Sequence, residues 1–499
     1  MEWLWTKLKQ VLPTMPLPTT KSSSEHEELQ AKQSTKGQAK YQLISDADEE
    51  ATGLNSDLFK SRLIDEILDD IGLRLLHWKV FVFLCLLYMS CAFATSILSA
   101  ILPSLKPDWN ISEIMAGVLT LSTSTGKILG TPFWGWVSDK YGRKRTFIAC
   151  VAFILVSALA SAFSTNYYWL WISLFVVGFG TTITFQSYII IVELFPTRYR
   201  SMFSVLTAVF WTLGFLLSAI VSMELSVIGY NWALATVCFP MVILCISVVF
   251  LPESPHFYLI AGDEQKALNI LQDLAPEMDF SDTILRKHVS ETQKADFTQL
   301  FRSGYWKITI CACIATFTIY LSHYDLVYTA SEVAGSQNFS STITDMQNKA
   351  TVIHHMYAIM AWMNLPEIVI IIAAALCCNV FTSKTVLLIV TLLTLVSQII
   401  ALFVVNQRIP LLIAIMLSRS LLLSDISLLV TCVSRVYPTV IRSIGTSICV
   451  SVGRIGILLG PFIFETWFAK EYFYGIVFNV AILSVAFIAI ALLPSQSAT

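Results

Sequence analysis

The sequence predicts an all-α membrane protein with twelve transmembrane helices in two pseudo-symmetric six-helix bundles. Three observations predict it. Of the 499 residues, 56% are hydrophobic and only 13% charged, and the mean hydropathy of +0.69 is too high for a soluble chain of this length. The chain is divided into apolar runs of about 20 residues, the length a helix needs to cross the hydrocarbon core. Finally, Glu193-Leu-Phe-Pro-Thr-Arg-Tyr-Arg-Ser201 returns in the second half as Arg435-Val-Tyr-Pro-Thr-Val-Ile-Arg-Ser443. Each copy sits between two long apolar runs, as expected where one bundle of membrane helices is used twice.

Residues 1–60 are rich in Ser, Lys, Glu and Gln and lack the continuous apolar core of a signal peptide, which predicts an uncleaved, solvated cytosolic tail. Within 61–76, Leu63, Ile64, Ile67, Leu68 and Ile71 recur at helical spacing with Asp65, Glu66, Asp69 and Asp70 between them. That pattern predicts an amphipathic helix against the membrane's inner face or the protein itself. The first bundle then covers 77–251, with uncharged runs at 80–105, 146–164, 167–192, 201–223 and 232–251 and a run at 114–137 carrying Lys127. Residues 252–306 form a central cytosolic loop in which Ala267, Leu268, Ile270, Leu271 and Leu274 trace a short amphipathic helix. The second bundle covers 307–494. Its runs are 308–330 (Asp325), 357–381 (Glu367), 385–406, 410–434 (Arg419, Asp425), 444–467 (Arg454, Glu465) and 472–493, and 495–499 is a short cytosolic tail.

Lys and Arg in short loops set the orientation. They cluster after span 2 (Lys140, Arg143, Lys144, Arg145), span 4 (Arg198, Arg200) and span 10 (Arg435, Arg442). The loops after spans 3 and 5 have none, and those after 1, 7, 9 and 11 have one each. Both termini are therefore expected in the cytosol, which puts the sequons at Asn110 and Asn338 outside, where glycans are added. All eleven cysteines fall in or beside apolar runs, so buried thiols are expected rather than a disulfide framework. The net charge of −2 says nothing about partners.

Between spans 2 and 3 stands Gly135-Trp-Val-Ser-Asp139-Lys-Tyr-Gly142-Arg143-Lys144-Arg145. Glycines let helix ends approach, Asp139 can cap a helix start and accept from Arg, and the basic run anchors the loop. This stretch resembles the GxxxDxxGRRx signature of the major facilitator superfamily. Glu193 to Arg200, and Pro252-Glu-Ser-Pro255 followed by Gly262, resemble its sugar and organic ion transporter branch. Ile71-Gly-Leu-Arg-Leu-Leu-His-Trp-Lys79, Val177-Gly-Phe-Gly180, Gln186-Ser187, Trp211-Thr-Leu-Gly214 and Gly453-Arg-Ile-Gly456 are similar to the synaptic vesicle two-related proteins. The resemblance covers roughly residues 60–494. It implies a plasma or vesicle membrane location and a gate at the cytosolic ends of the helices, built from Gly135, Asp139, Gly142, Arg143, Arg145, Glu193, Arg200 and Arg442.

The second half departs from the pattern. The counterpart of the span 2 to 3 motif reads Cys378-Asn-Val-Phe-Thr-Ser-Lys384-Thr385, and Arg435 stands where the first half has Glu193. Only the N-terminal set Asp139, Arg143, Glu193 and Arg200 is intact. Cys91-Ala-Phe-Ala94 in span 1 and Leu174 in span 4 replace the acidic residues and the Arg that relatives associate with ion coupling.

A charge near the bilayer centre costs about 3 kcal/mol on insertion scales, so each needs a partner, a water-filled cavity or a role. Lys127 lies twelve residues from Asp139, roughly 18 Å along a helix, and Arg454 lies equally far from Arg442. Lys127, Arg454 and Arg419 face Glu367, Asp425 and Asp325, so mutual neutralisation as structural pairs stands against contact with a solute. Because the signs balance, the charge of a solute is not readable from them. The family architecture puts spans 1, 4, 7 and 10 around a central cavity, which favours Asp325 and Arg419 as ligand contacts. Tyr324, Trp211, Tyr88, Phe185, Tyr188, Tyr320 and Trp362 are available to stack on an organic solute or are plain packing. His354-His355 lacks further ligands at metal spacing, so no metal site is expected.

The chain carries no Walker A, HExxH, GxSxG or paired-cysteine motif, so neither an enzyme nor a cofactor is expected, and no nucleic-acid partner. The expected function is a secondary-active or facilitative transporter that moves a small organic solute, an organic ion or metabolite, across the bilayer by alternating access. The coupling ion is unknown. The alternative is a non-transporting receptor or vesicle scaffold that keeps the fold.

Overall fold

In lipid every backbone N–H and C=O must be bonded within its own segment, so the apolar runs become helices. The computed structural model describes residues 60–225, 230–278, 280, 283–285, 305–335, 362, 364–437, 441–463 and 472–494. The 1–59 tail, the Asn338 sequon and the His354-His355 pair lie outside the described residues. Strand β1 (Lys60–Arg62) pairs with β2 (Thr283–Leu285). Of these strands, Lys60, Ser61, Thr283 and Ile284 are the described residues of a small unit; the other described residues belong to one larger unit.

The larger unit opens with α1 (Ile64–Ile71), followed in the first half by α2 (Leu75–Asp108), α3 (Glu113–Tyr141), α4 (Arg143–Ala162), α5 (Tyr167–Thr181), α6 (Thr184–Leu194), α7 (Arg200–Leu225), α8 (Tyr230–Ala235) and α9 (Cys238–Ser247). The central segment holds α10 (Pro255–Ile260) and α11 (Glu264–Leu274). The second half holds α12 (Tyr305–Gly335), α13 (Asn364–Cys377), α14 (Ser383–Phe403), α15 (Arg408–Val436), α16 (Arg442–Ile463) and α17 (Tyr472–Leu492). Among the described residues, ten helical stretches are long and apolar enough to cross a membrane, with α5–α6 and α8–α9 each counted as one. The 29-residue α3 carries the span with Lys127, and α13 is the shorter described part of the span with Glu367. Every predicted run therefore contains a helix.

Two cores form. One gathers Leu84, Phe147, Ile154 and Leu170 from the first half; the other gathers Leu387, Ile415, Leu422 and Leu483 from the second, joined by Val205 and Ala208 of α7. A small cluster of Tyr88, Tyr188, Val430 and Val450 links the halves. Helices α3 and α5 approach closely because Gly126, Gly130 and Gly178 leave no room for a methyl against the facing backbone, the small-residue packing that association in lipid favours.

Two local breaks position the chemistry. Span 4 is interrupted between α5 and α6, where Thr181, Thr182 and Thr184 bond back to the carbonyls of Gly178, Phe179 and Thr181. Such back-bonding weakens the helical ladder, and the Tyr88 hydroxyl donates to the Thr184 carbonyl there at 2.9 Å. The second break is Gly142, which joins α3 to α4 at φ 98°, a left-handed conformation that favours glycine.

Outside the apolar runs, α1 buries Ile64, Ile67, Leu68 and Ile71 against Leu259, Ala267, Leu271 and Leu274 of α10 and α11. The amphipathic helix therefore docks on the protein's own central segment.

Candidate functional site

Two regions carry buried chemistry. The first is the end of the bundle where α3, α6 and α16 meet, called here the basic end. The Arg143 guanidinium holds Glu193 through two bonds of 3.1 and 2.9 Å, donates to the Ser138 carbonyl at 2.9 Å and lies 3.0 Å from Asp139. Bidentate geometry of this kind suits Arg. From the second half, Arg442 approaches Glu193 at 3.7 Å. Asp139 accepts the Ile444 N–H at 3.1 Å, so its carboxylate sits at the start of α16, where the helix dipole favours an anion. Gln186 bridges the halves between Ser138 and Ser443, at 3.1 and 2.8 Å. The Ser443 hydroxyl donates to the Gly135 carbonyl at 3.2 Å.

Two of the expected gate residues stand elsewhere. Arg200 pairs with Asp65 of α1 at 2.6 Å, because docking of α1 brings that acid to it, and Arg145 is exposed outside the network. Arg435, the reversed counterpart of Glu193, donates to Ser201 across the halves at 2.8 Å. Sequence reasoning assigned no role to Glu253. Its carboxylate accepts the Arg143 N–H at 2.7 Å and the Lys144 N–H at 3.1 Å, capping α4, whose N-cap Gly142 has no side chain for the task. Burial pushes the Glu253 carboxyl above the usual range, with the backbone N–H bonds of Ser254 and Lys144 pulling the other way. The signal for it was Pro252-Glu-Ser-Pro255.

The second region is a cavity of about 90 Å³ between the halves, lined by Lys127, Arg454, Trp211, Tyr320, Tyr324 and His323 among others. Tyr88, Phe185 and Tyr188 also face it, the last two brought there by the break before α6. The Lys127 ammonium stands over the Trp211 ring at 5.5 Å. Arg454 donates to the Lys127 carbonyl at 3.1 Å and to the Thr131 hydroxyl.

The three buried acids are not on the cavity wall. Asp325, expected as a ligand contact, turns to α17 and accepts from Asn479 at 2.7 Å. Asp425 turns to α14 and accepts from Thr391 and Thr394 at 3.2 and 3.4 Å. Glu367 and Arg419 pair with each other at 2.5 Å, with Thr212 of α7 donating to Glu367 at 3.2 Å and Arg419 donating to Asn364 at 2.7 Å. Asp325 and Arg419, expected as ligand contacts, do not line this cavity: polar partners on neighbouring helices hold them off it. Trp362 is 70% exposed and also leaves the set. Of the sequons, Asn110 is exposed at φ 51°.

A sequence model described as Major Facilitator Superfamily matches residues 84–344. The chain belongs to that superfamily. The cow (Bos taurus) synaptic vesicle 2-related protein is 26% identical over 416 residues, covering 80% of this chain and 75% of its own. The zebrafish (Danio rerio) putative transporter SVOPL is 22% identical over 432 residues, covering 83% and 84%. Among solved superfamily structures, the proton:xylose symporter XylE bound to 6-bromo-6-deoxy-D-glucose superposes with a TM-score of 0.68 at 16% identity, over 84% of this chain and 96% of that one. The inward-open xylose transporter XylE from E. coli gives 0.61 at 16% identity, over 84% and 98%. The relatives support the synaptic vesicle 2-related branch of the superfamily, and the solved structures its fold. With them the chain is read as a membrane transporter of small solutes; nothing found favours the scaffold alternative.

Proposed function

We propose that the chain moves a small organic solute by alternating access, with the cavity between the halves as its binding site and the basic end toward the cytosol. The observation that carries this reading is where the contacts between halves lie. Along α3 and α16 they run from Asp139–Ile444 at the basic end, through Ser443–Gly135 and Ser451–Ile128, to Arg454–Lys127 beside the cavity. A second set runs from Met202–Asn379, just past the end of α13, to Thr212–Glu367 between α7 and α13. Among the described residues the α3–α16 seam runs from the basic end to the mid-depth cavity, which suits a pathway closed toward the cytosol. Rocking the halves apart along this seam would open it there.

The second-half departures that favoured a scaffold leave this arrangement standing: Arg435 reaches Ser201, and Arg442 supplies Glu193 with its partner across the halves. Proteoliposomes carrying the purified full chain should accumulate at least one organic solute, and a bulky Ala208→Trp on the cavity wall should abolish it while the protein still folds. Uptake that Ala208→Trp leaves unchanged would move the pathway elsewhere.

A further inference from the structure

The balance of buried charge in the sequence, three bases against three acids, does not survive in space. Each acid is turned away from the cavity: Asp325 toward Asn479, Asp425 toward two threonines, and Glu367 toward Arg419. What remains on the wall is one sign. Lys127 and Arg454 are each only 7% exposed, both line the cavity, and no carboxylate pairs with either among the described residues. Arg454 spends donors on a carbonyl and a hydroxyl, and Lys127 faces an aromatic ring; none of these neutralises a charge. Two cations held side by side away from water are costly unless an anion joins them.

We propose that the cavity binds an organic anion, a carboxylate or sulfonate on an apolar or aromatic body. The anionic group sits between the Lys127 ammonium and the Arg454 guanidinium. The body lies against Trp211, Phe185, Leu423 and Val450, which line the same space, while phenol hydroxyls at Tyr320 and Tyr324 are placed to donate to the anion's oxygens. An organic cation meets two like charges there and is rejected, since specificity comes as much from repulsion as from attraction. This deepens the transport reading and rests on it only for the cavity's role; the charge assignment is testable by binding alone.

The test uses the purified full chain in detergent and three probes sharing one ring: benzoate, benzamide and benzamidine, with chloride as a fourth. Benzoate is expected to raise Tm and the others much less. Lys127→Met and Arg454→Met each should weaken benzoate binding about tenfold or more, while Arg454→Lys, which keeps the charge, restores most of it. A second arm needs no ligand: because Lys127 is uncompensated in the empty protein, Lys127→Met should raise the Tm of the ligand-free chain. A fall of Tm in that variant, equal shifts from benzamide or benzamidine, or chloride matching benzoate would overturn the proposal. Labelled uptake separates it from the transport reading. Benzoate binding in a protein that accumulates no organic solute removes transport and keeps the anion site; uptake of benzamidine does the reverse.

Discussion

Arg143 is the side chain on which the basic end is assembled. Its guanidinium serves Glu193, Asp139 and the Ser138 carbonyl at once, and its own N–H is taken by Glu253. Arg143→Met leaves the buried Asp139 without its counter-charge and Glu193 with Arg442 alone, at 3.7 Å, a loss of about 3–5 kcal/mol. It should appear as a large drop in Tm or failure to purify, and Arg143→Lys should recover little, because an ammonium cannot form the paired bonds. The acids off the cavity behave oppositely. Asp425 accepts from neutral threonines, one on each carboxylate oxygen; Asn keeps one of these acceptors and its amide N–H can donate to the other hydroxyl, so Asp425→Asn should fold normally and leave solute uptake within about twofold of the parent, because the side chain does not line the cavity. A tenfold loss of uptake would show that the carboxylate takes part in transport.

At the scale of elements, α1 is a strap. It buries Ile67 and Leu68 on α10 and α11, and its acids reach Arg200 and Thr197 of the first half, from Asp65 and Asp69, and His256 of α10, from Asp65. Burial alone would raise the Asp65 carboxyl, but the His256 hydrogen bond and the Arg200 charge outweigh it and hold the group well below its ordinary 3.8. For an acid so depressed, the stabilisation is complete above the ordinary value and fades as pH falls below it. Strap docking, read as thiol labelling of Leu271→Cys, should therefore be flat between neutral pH and about 5 and rise only in stronger acid. Asp65→Asn should raise labelling already at neutral pH; unchanged labelling there would show that the apolar face alone holds the strap. Both amphipathic helices were legible, since in water the phase of a helix is written in its apolar stripe: Ile64, Ile67, Leu68 and Ile71 are the buried positions. The spans give length but no phase, because lipid is as apolar as a neighbouring helix. That is why Lys127 could be placed in depth, and Asp325 and Asp425 in their spans, with no sign that of the three only the lysine faces the cavity. Charge pairing was equally hidden, as Asn479 and Thr391 carry no signal that distinguishes them from other polar residues in a span.

On the scale of the whole molecule, the duplicated loops are not used symmetrically. The first-half copy supplies Glu193, which Arg442 of the second approaches, while Arg435, standing where the first half has Glu193, bonds the Ser201 hydroxyl. The two copies therefore make different contacts across the halves. Asp139→Asn removes the charge at the start of α16 and about 1 kcal/mol of dipole interaction, which corresponds to a roughly fivefold shift toward the state open at the basic end. Labelling of Ser447→Cys from that side should rise by this factor, in a background where the exposed Cys377 is replaced; no rise would place the latch energy elsewhere. The α3–α16 seam has one more property. Of its acceptors on α3, the carbonyls of Gly135 and Lys127 keep their intrahelical bonds when α16 leaves, while the Ile128 carbonyl, four residues before Pro132, has no backbone donor and gives up only the Ser451 bond. The serines that reach them have carbonyls of their own helix within rotation, as Ser447 already bonds Ile444. Parting therefore strands few polar atoms, and the join works like a press-stud, able to be undone and remade every cycle without a large toll in desolvated groups.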